Sequence, residues 1–74
     1  MNNKVVLSQQ YFGRTPQRIW HTWIRIGERD YLFTVEGYDG YTVWLAGVGK
    51  IAHHRTMQEV REGLNRIKEM GRME

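Results

Sequence analysis

The 74-residue sequence contains no cysteine and only one proline. The missing thiols exclude disulfides, thiolate catalysis and cysteine-based zinc sites, and they suit a cytoplasmic protein. The N-terminus also lacks a long apolar run, because Val5-Val6-Leu7 is far too short for a signal-peptide core or a membrane span. We therefore expect a soluble cytoplasmic protein that does not enter membranes and that is stabilised by packing alone.

The residues that are present have the composition of a small folded protein. Apolar residues make up 41% of the chain and charged residues 26%, a balance typical of globular domains rather than disordered segments. A chain of 74 residues is too short for two domains. The sequence thus predicts a single domain over residues 1–74.

Charge is distributed unevenly along the chain. Residues 1–26, 27–46 and 47–74 carry net charges of +4, −3 and +2, which together give the formal +3, and the first region contains no acid. Eight of the eleven basic residues are arginines, whose planar fork suits phosphate oxygens, guanine edges and carboxylates. This distribution favours an anionic partner, although the net charge is modest.

The C-terminal part of the sequence predicts one α-helix. Thr56 and Glu59 match the N-cap and N3 positions of a capping box, and Gly71 suits the residue after the helix end. We therefore predict a helix over residues 57–70. Gly63 interrupts its apolar stripe, from which we infer close approach to another backbone. The stripe has spacings of three and four residues: Met57, Val60, Leu64 and Ile67.

A β-hairpin is predicted before this helix in the chain. Residues 31–36 and 41–46 are rich in β-branched and aromatic side chains, and the turn-forming residues 37–40 separate them. Alternation places six side chains on the face that a helix would cover. These are Tyr31, Phe33, Val35, Tyr41, Val43 and Leu45.

Residues 15–26 allow two interpretations. As a helix, they would have Thr15 as the cap and Pro16 at the first position. We favour a strand because β-branched and aromatic residues dominate and the hairpin offers an edge. The predicted fold is α+β, with a three-stranded antiparallel sheet backed by one C-terminal helix. Residues 5–7 are the candidate fourth strand, and residues 47–55 are interpreted as a glycine-broken connection.

No catalytic or metal-binding motif in the sequence is complete. The segment 47–50, Gly-Val-Gly-Lys, lacks both the earlier glycine and the following Ser or Thr of a phosphate-binding loop. His53 and His54 diverge in an extended chain and have no cysteine or acid close by to complete a metal site. We expect no enzymatic activity, no cofactor and no bound metal. A catalytic triad is conceivable by inventory alone: Ser8, His21 and Asp30 or Asp39.

The second face of the predicted sheet is the strongest candidate for a binding site. If Trp20 and Ile24 join the core, Trp23 and Arg25 point away from it. An exposed sheet face with tryptophans indicates an interaction site. The alternative is that the N-terminal segment covers this face, so that the tryptophans belong to the core. The candidate binding residues are Arg18, His21, Trp23, Arg25, Thr34 and Trp44, with Arg61, Lys68 and Arg72 along one flank of the helix.

Over roughly residues 17–70 the order of elements resembles the arm-binding domain of tyrosine recombinases and a DNA-binding domain of plant transcription factors. This resemblance implies that three strands enter the major groove and that Arg18, His21 and Trp23, together with Arg25, Thr34 and Trp44, face DNA. Our first hypothesis is a small non-enzymatic nucleic-acid-binding module, with DNA favoured because no RNA-binding signature is present. The alternative is a protein-binding inhibitor or adaptor, of the kind that phages and mobile elements encode, acting on a host protein.

Overall fold

The computed structural model describes residues 4–72 and shows one antiparallel sheet backed by a C-terminal helix. Five strands lie in the sheet in chain order, so the α+β prediction is confirmed, whereas three or four strands were too few. The elements are β1 (Ser8–Phe12), β2 (Thr15–Ile26), β3 (Arg29–Glu36), β4 (Tyr41–Leu45), β5 (Gly49–His54) and α1 (Met57–Arg72).

The ambiguous segment forms β2, the longest strand. It pairs with β1 on one side and with β3 on the other. The pairing with β3 runs from Ile19 opposite Glu36 to Ile26 opposite Arg29. Central pairing on both sides accommodates its β-branched and aromatic residues. The helical interpretation of residues 15–26 was therefore wrong.

The predicted fourth strand was placed too early in the chain. Residues 4–7 are not part of a strand, and β1 begins at Ser8. Val5 is buried with the core, and its backbone N–H donates a hydrogen bond to Oδ1 of Asn65 at 2.8 Å. Val5 and Leu7 therefore pack with the core on the helix side, Val6 between them is exposed, and the mostly polar residues 8–12 form the edge strand.

The segment interpreted as a connection contains β5. The pairing shifts after Val43, which lies opposite Ala52, because Trp44 lies opposite Lys50. Ile51 is the extra residue of this bulge, and a bulge breaks the period-two pattern by which a strand is recognised. Gly47, with a positive φ angle of 84°, lies in the tight loop before β5, and Gly49, with a φ angle of 119°, is the first residue of β5.

The core lies between the sheet and α1, as the alternation in β2, β3 and β4 predicts. Trp20, Tyr31, Tyr41 and other half-buried side chains surround it on the same face of the sheet. The predicted packing of the helix stripe against the hairpin is confirmed. The most buried apolar residues are Val5, Ile24, Phe33, Val35, Val43, Val60 and Leu64.

The helix begins as predicted, in a capping box. The backbone N–H of Glu59 donates to Oγ1 of Thr56 at 3.2 Å, and Oε1 of Glu59 accepts from the backbone N–H groups of Thr56 and Arg55, each at 3.1 Å. These bonds lower the pKa of Glu59, the Arg55 amide contributing most and the Thr56 amide next. Two orphan amides at the helix start are thereby satisfied.

The two helix glycines differ from expectation. α1 continues to Arg72, so Gly71 lies inside it, where a β-carbon would lie 3.3 Å from the backbone oxygen of Arg25. A β-carbon on Gly63 would meet only the imidazole of His54, at 3.5 Å. The close backbone approach predicted for Gly63 is therefore found at Gly71.

Candidate functional site

The candidate site is the face of the sheet that points away from α1, called here the open face. Val5 and Leu7, which precede β1 in the chain, pack with the core on the helix side of the sheet. They leave Trp23 63% exposed and Trp44 37% exposed, so these tryptophans do not belong to the core. The open face comprises Ile19, His21, Trp23, Arg25, Asp30, Leu32, Thr34, Glu36, Thr42, Trp44, Lys50 and His53.

Strand register fixes the relative positions of the two tryptophans. Trp23 lies opposite Leu32 on β3, while Thr34 lies opposite Trp44 on β4. The tryptophans are therefore two strands and two residues apart, which corresponds to about 12 Å between their α-carbons. That spacing allows the two rings to contact separate groups on one partner.

Cationic groups flank both tryptophans. Lys50 lies opposite Trp44 and is exposed. Arg25, two residues after Trp23, forms an exposed ion pair with Asp30, with 3.2 Å between Nε and Oδ1. Exposed pairs of this kind contribute little to stability, about 0–1 kcal/mol, so the guanidinium can exchange this carboxylate for another anion. Asp30 and Glu36 balance the charge of Arg25 and Lys50, so the open face is close to neutral.

Two histidines contribute to the open face in different ways. Nδ1 of His53 lies 3.0 Å from Oγ1 of Thr42 on the adjacent strand, a hydrogen bond that orients the imidazole. His21 is half-buried, and its Nδ1 is enclosed with no hydrogen-bond partner among residues 4–72. Because that nitrogen is out of a ligand's reach, His21 presents less binding surface than the exposed Trp23.

Arg18 does not lie on the open face, although the sequence analysis grouped it with these residues. It shares the strand alternation of Trp20, and its guanidinium carbon lies 6.0 Å from the ring centroid of Tyr41 on the helix side. Its Nε donates a hydrogen bond to the carbonyl of Gly37. Arg18 thus lies beside Trp20 at the edge of the core. This position, on the side of the sheet opposite Trp23, does not support the expected contact with DNA beside Trp23.

The basic residues of the helix are likewise separated from the open face. Arg61 and Lys68 belong to α1, which packs on the opposite side of the sheet. The side chain of Arg72 lies outside the part of the chain that the structure describes. The basic flank of the helix and the open face with its tryptophans are therefore two separate surfaces on opposite sides of the sheet.

Sequence reasoning missed Lys50 and His53, because residues 47–55 were not recognised as a strand. The signal available was the position of Gly47 between two extended runs, which is typical of a hairpin loop. It also missed the exposed aromatic residues of the β1–β2 hairpin, Tyr11 and Phe12. The Gly13-Arg14 dipeptide suits a two-residue turn and could have indicated that hairpin.

Within residues 4–72 no three histidine or acidic side chains come together as metal ligands would. In the same part of the chain, no helix is long and apolar enough to cross a membrane. The chain matches no protein-family model, no curated protein and no solved structure. The functional argument therefore depends on the geometry and charge of the open face.

Proposed function

We propose that this protein is a non-enzymatic DNA-binding module of the cytoplasm that places the open face against nucleic acid. The observation that carries the proposal is the exposure of Trp23 and Trp44 on one face of a sheet whose other face is fully used by the core. Large aromatic side chains gathered on an exposed surface are typical of an interaction site. Nucleic-acid bases are suitable partners, because every base offers a ring on which tryptophan can stack.

The cations beside the tryptophans suit the phosphates that accompany each base. Lys50 next to Trp44 supplies a point charge, and Arg25 near Trp23 supplies a planar fork that exchanges Asp30 for a phosphate. Thr34, between the two tryptophans, offers a hydroxyl to base edges. In this proposal the aromatic contacts supply most of the affinity, and the phosphate contacts set the register of the strand.

The test is a titration of fluorescently labelled DNA, single-stranded and duplex, at two salt concentrations. We expect Trp23→Ala to weaken binding by about 1–3 kcal/mol and to leave the melting temperature unchanged, because the side chain is exposed. Met70→Ala, which removes an exposed apolar side chain from the helix on the other side of the sheet, is the matched control. Lys50→Gln should weaken binding to all sequences alike and reduce the salt slope by about one.

Three results would overturn the proposal. If the parent protein shows no salt-dependent association with either form of DNA, the open face does not bind nucleic acid. If Trp23→Ala unfolds the protein, the side chain belongs to the core and the assignment of the site is wrong. Equal losses of affinity in Trp23→Ala and Met70→Ala would also remove the open face as the binding site.

A protein-binding adaptor or inhibitor is the second candidate, and the neutral charge of the open face favours it. Asp30 and Glu36 lie on the same face as the tryptophans and would repel phosphate. Tryptophan and arginine are also the residues that dominate protein interfaces. Association that survives nuclease treatment and is insensitive to salt would support this candidate over DNA binding.

A further inference from the structure

The β1–β2 hairpin extends beyond the rest of the sheet. The pairing of β2 with β3 ends near Arg18, whose carbonyl accepts a hydrogen bond at 2.8 Å from the N–H of Gly37, the residue after β3. Residues 15–17 of β2 extend about 10 Å past this point. Within the described residues β1 contacts no strand or helix other than β2. The end of this hairpin, residues 11–16, is called the hairpin tip.

The hairpin tip exposes aromatic side chains that do not pack in the core. Phe12, the last residue of β1, is 81% exposed, and Tyr11 is exposed beside it. Gly13 has a φ of 63° at the first of two turn positions, so the turn is tight and Arg14 stands at its apex. A large apolar side chain beside a rigid apex is positioned for insertion into a partner.

The strand pairing within the hairpin is also irregular. Gln9 pairs with Trp20, but Tyr11 pairs with Pro16, so three residues of β2 lie opposite Gln10. Gln9 Nε2 bridges this irregularity by donating to the carbonyl of Gln17 at 2.9 Å. Bulges of this kind re-aim the strands that follow them, so the hairpin tip is set at its own angle to the open face.

Charge identifies the kind of partner. The hairpin tip contains Arg14 and no acid. The nearby Arg18 and Arg25 do not belong to it, because Arg18 hydrogen-bonds Gly37 and Arg25 is paired with Asp30. An acid-free protrusion with an arginine at its apex suits a polyanion, and a two-stranded ribbon has the dimensions of a DNA groove. Exposed apolar side chains on such elements are able to enter between base pairs and unstack them.

We propose that the hairpin tip is a second DNA contact, which enters a groove, inserts Phe12 between two base pairs and bends the duplex. This inference rests on the proposed function, because the open face holds the DNA on which the hairpin tip acts. Arg14 contacts the phosphates beside the inserted ring. Binding then favours flexible pyrimidine–purine steps, whose unstacking costs least.

The experiment measures energy transfer between dyes at the two ends of a duplex of about 20–30 base pairs with a central TA step. The parent protein is expected to raise the transfer efficiency, because bending brings the ends together. Phe12→Ala should retain salt-dependent binding, with affinity reduced about tenfold, and should leave the transfer efficiency near that of free DNA. Phe12→Leu should restore bending, because an aliphatic side chain also acts as a wedge.

Control variants and melting curves complete the test. Val48→Ala removes a side chain that is 72% exposed in the loop between β4 and β5, and this matched control should bend DNA like the parent. Arg14→Gln should reduce the salt slope by about one and leave the bend in place. The exposure of Phe12 predicts that Phe12→Ala melts at the parent temperature, and Phe12→Ser provides a second truncation.

The outcomes separate this inference from the proposed function. If the parent binds only single-stranded DNA, if it binds duplex DNA with no change in transfer efficiency, or if Phe12→Ala bends DNA like the parent, the inference is overturned and the proposed function stands. If Val48→Ala loses bending as Phe12→Ala does, the hairpin tip is not the wedge and the inference is overturned. If the parent shows no salt-dependent binding to DNA of either form, both are overturned.

Discussion

Replacing Gly63 by alanine should stabilise the protein. Gly63 lies in the interior of α1, where glycine costs about 0.8–1.0 kcal/mol relative to alanine. The new β-carbon would lie 3.5 Å from Nε2 of His54 and 3.9 Å from its Cε1, which is ordinary van der Waals contact. Nothing therefore offsets the gain in helix propensity. For a chain of this length, a change of about 1 kcal/mol raises the melting temperature by about 4–8 °C.

Gly71→Ala is the matched comparison within the same helix. Its β-carbon would lie 3.2 Å from Cγ1 of Ile26 and 3.3 Å from the backbone oxygen of Arg25. Backbone atoms of β2 do not yield as a side-chain end does, so this substitution should leave stability unchanged or lower it by about 1–3 kcal/mol. Thermal melts followed by circular dichroism measure both. A lower melting temperature for Gly63→Ala than for the parent would refute the packing described between β5 and α1.

Three further results are expected. Thr56→Ala should lower the free energy of unfolding by about 0.5–2 kcal/mol, because it frees a helix amide, and faster hydrogen exchange at Glu59 N–H would show it. Because the pKa of Glu59 is lowered, its ionised side chain stabilises the fold above the unfolded-state pKa, and this contribution is lost as pH falls through the folded-state pKa. The melting temperature should therefore fall less steeply with acidification in Glu59→Gln than in the parent. Gly37→Ala should cost about 1–3 kcal/mol by chemical denaturation, since its β-carbon would lie 2.8 Å from the ring of Trp20; an unchanged midpoint would contradict that contact.

The central part of the fold could be predicted because one signal dominates there. In β2, β3 and β4 the side chains alternate between a buried face and an exposed face, and Phe33, Val35 and Val43 fall on the buried face as predicted. The capping box of Thr56 and Glu59 is equally local, since its hydrogen bonds join residues three positions apart. Patterns that are satisfied within a few residues are visible in a single sequence.

The two outer strands could not be predicted, because tertiary contacts decide their structure. β1 begins with three polar residues and pairs on one edge only, and Val5 before it packs against the helix, where its N–H donates to Asn65. In β5 the bulge at Ile51 interrupts the alternation. Arg18 was assigned to the wrong face for a different reason. It lies two residues before Trp20 in the same strand, so the period-two pattern places it on the helix side, where it lies near Tyr41.

The placement of charge limits how DNA binding can depend on salt. Among the residues that the structure describes, Arg25 and Lys50 on the open face and Arg14 at the hairpin tip are the basic residues placed to meet one duplex, and each neutralised phosphate contributes about −0.9 to the slope of log K against log salt. The slope should therefore be about −1.8 to −2.7, so a fourfold rise in salt lowers affinity about twelvefold to fortyfold. Titrations at several salt concentrations measure it. A slope near zero would favour a protein partner, and a slope steeper than about −5 would require Arg61 and Lys68, which would move the interface to the helix side of the sheet.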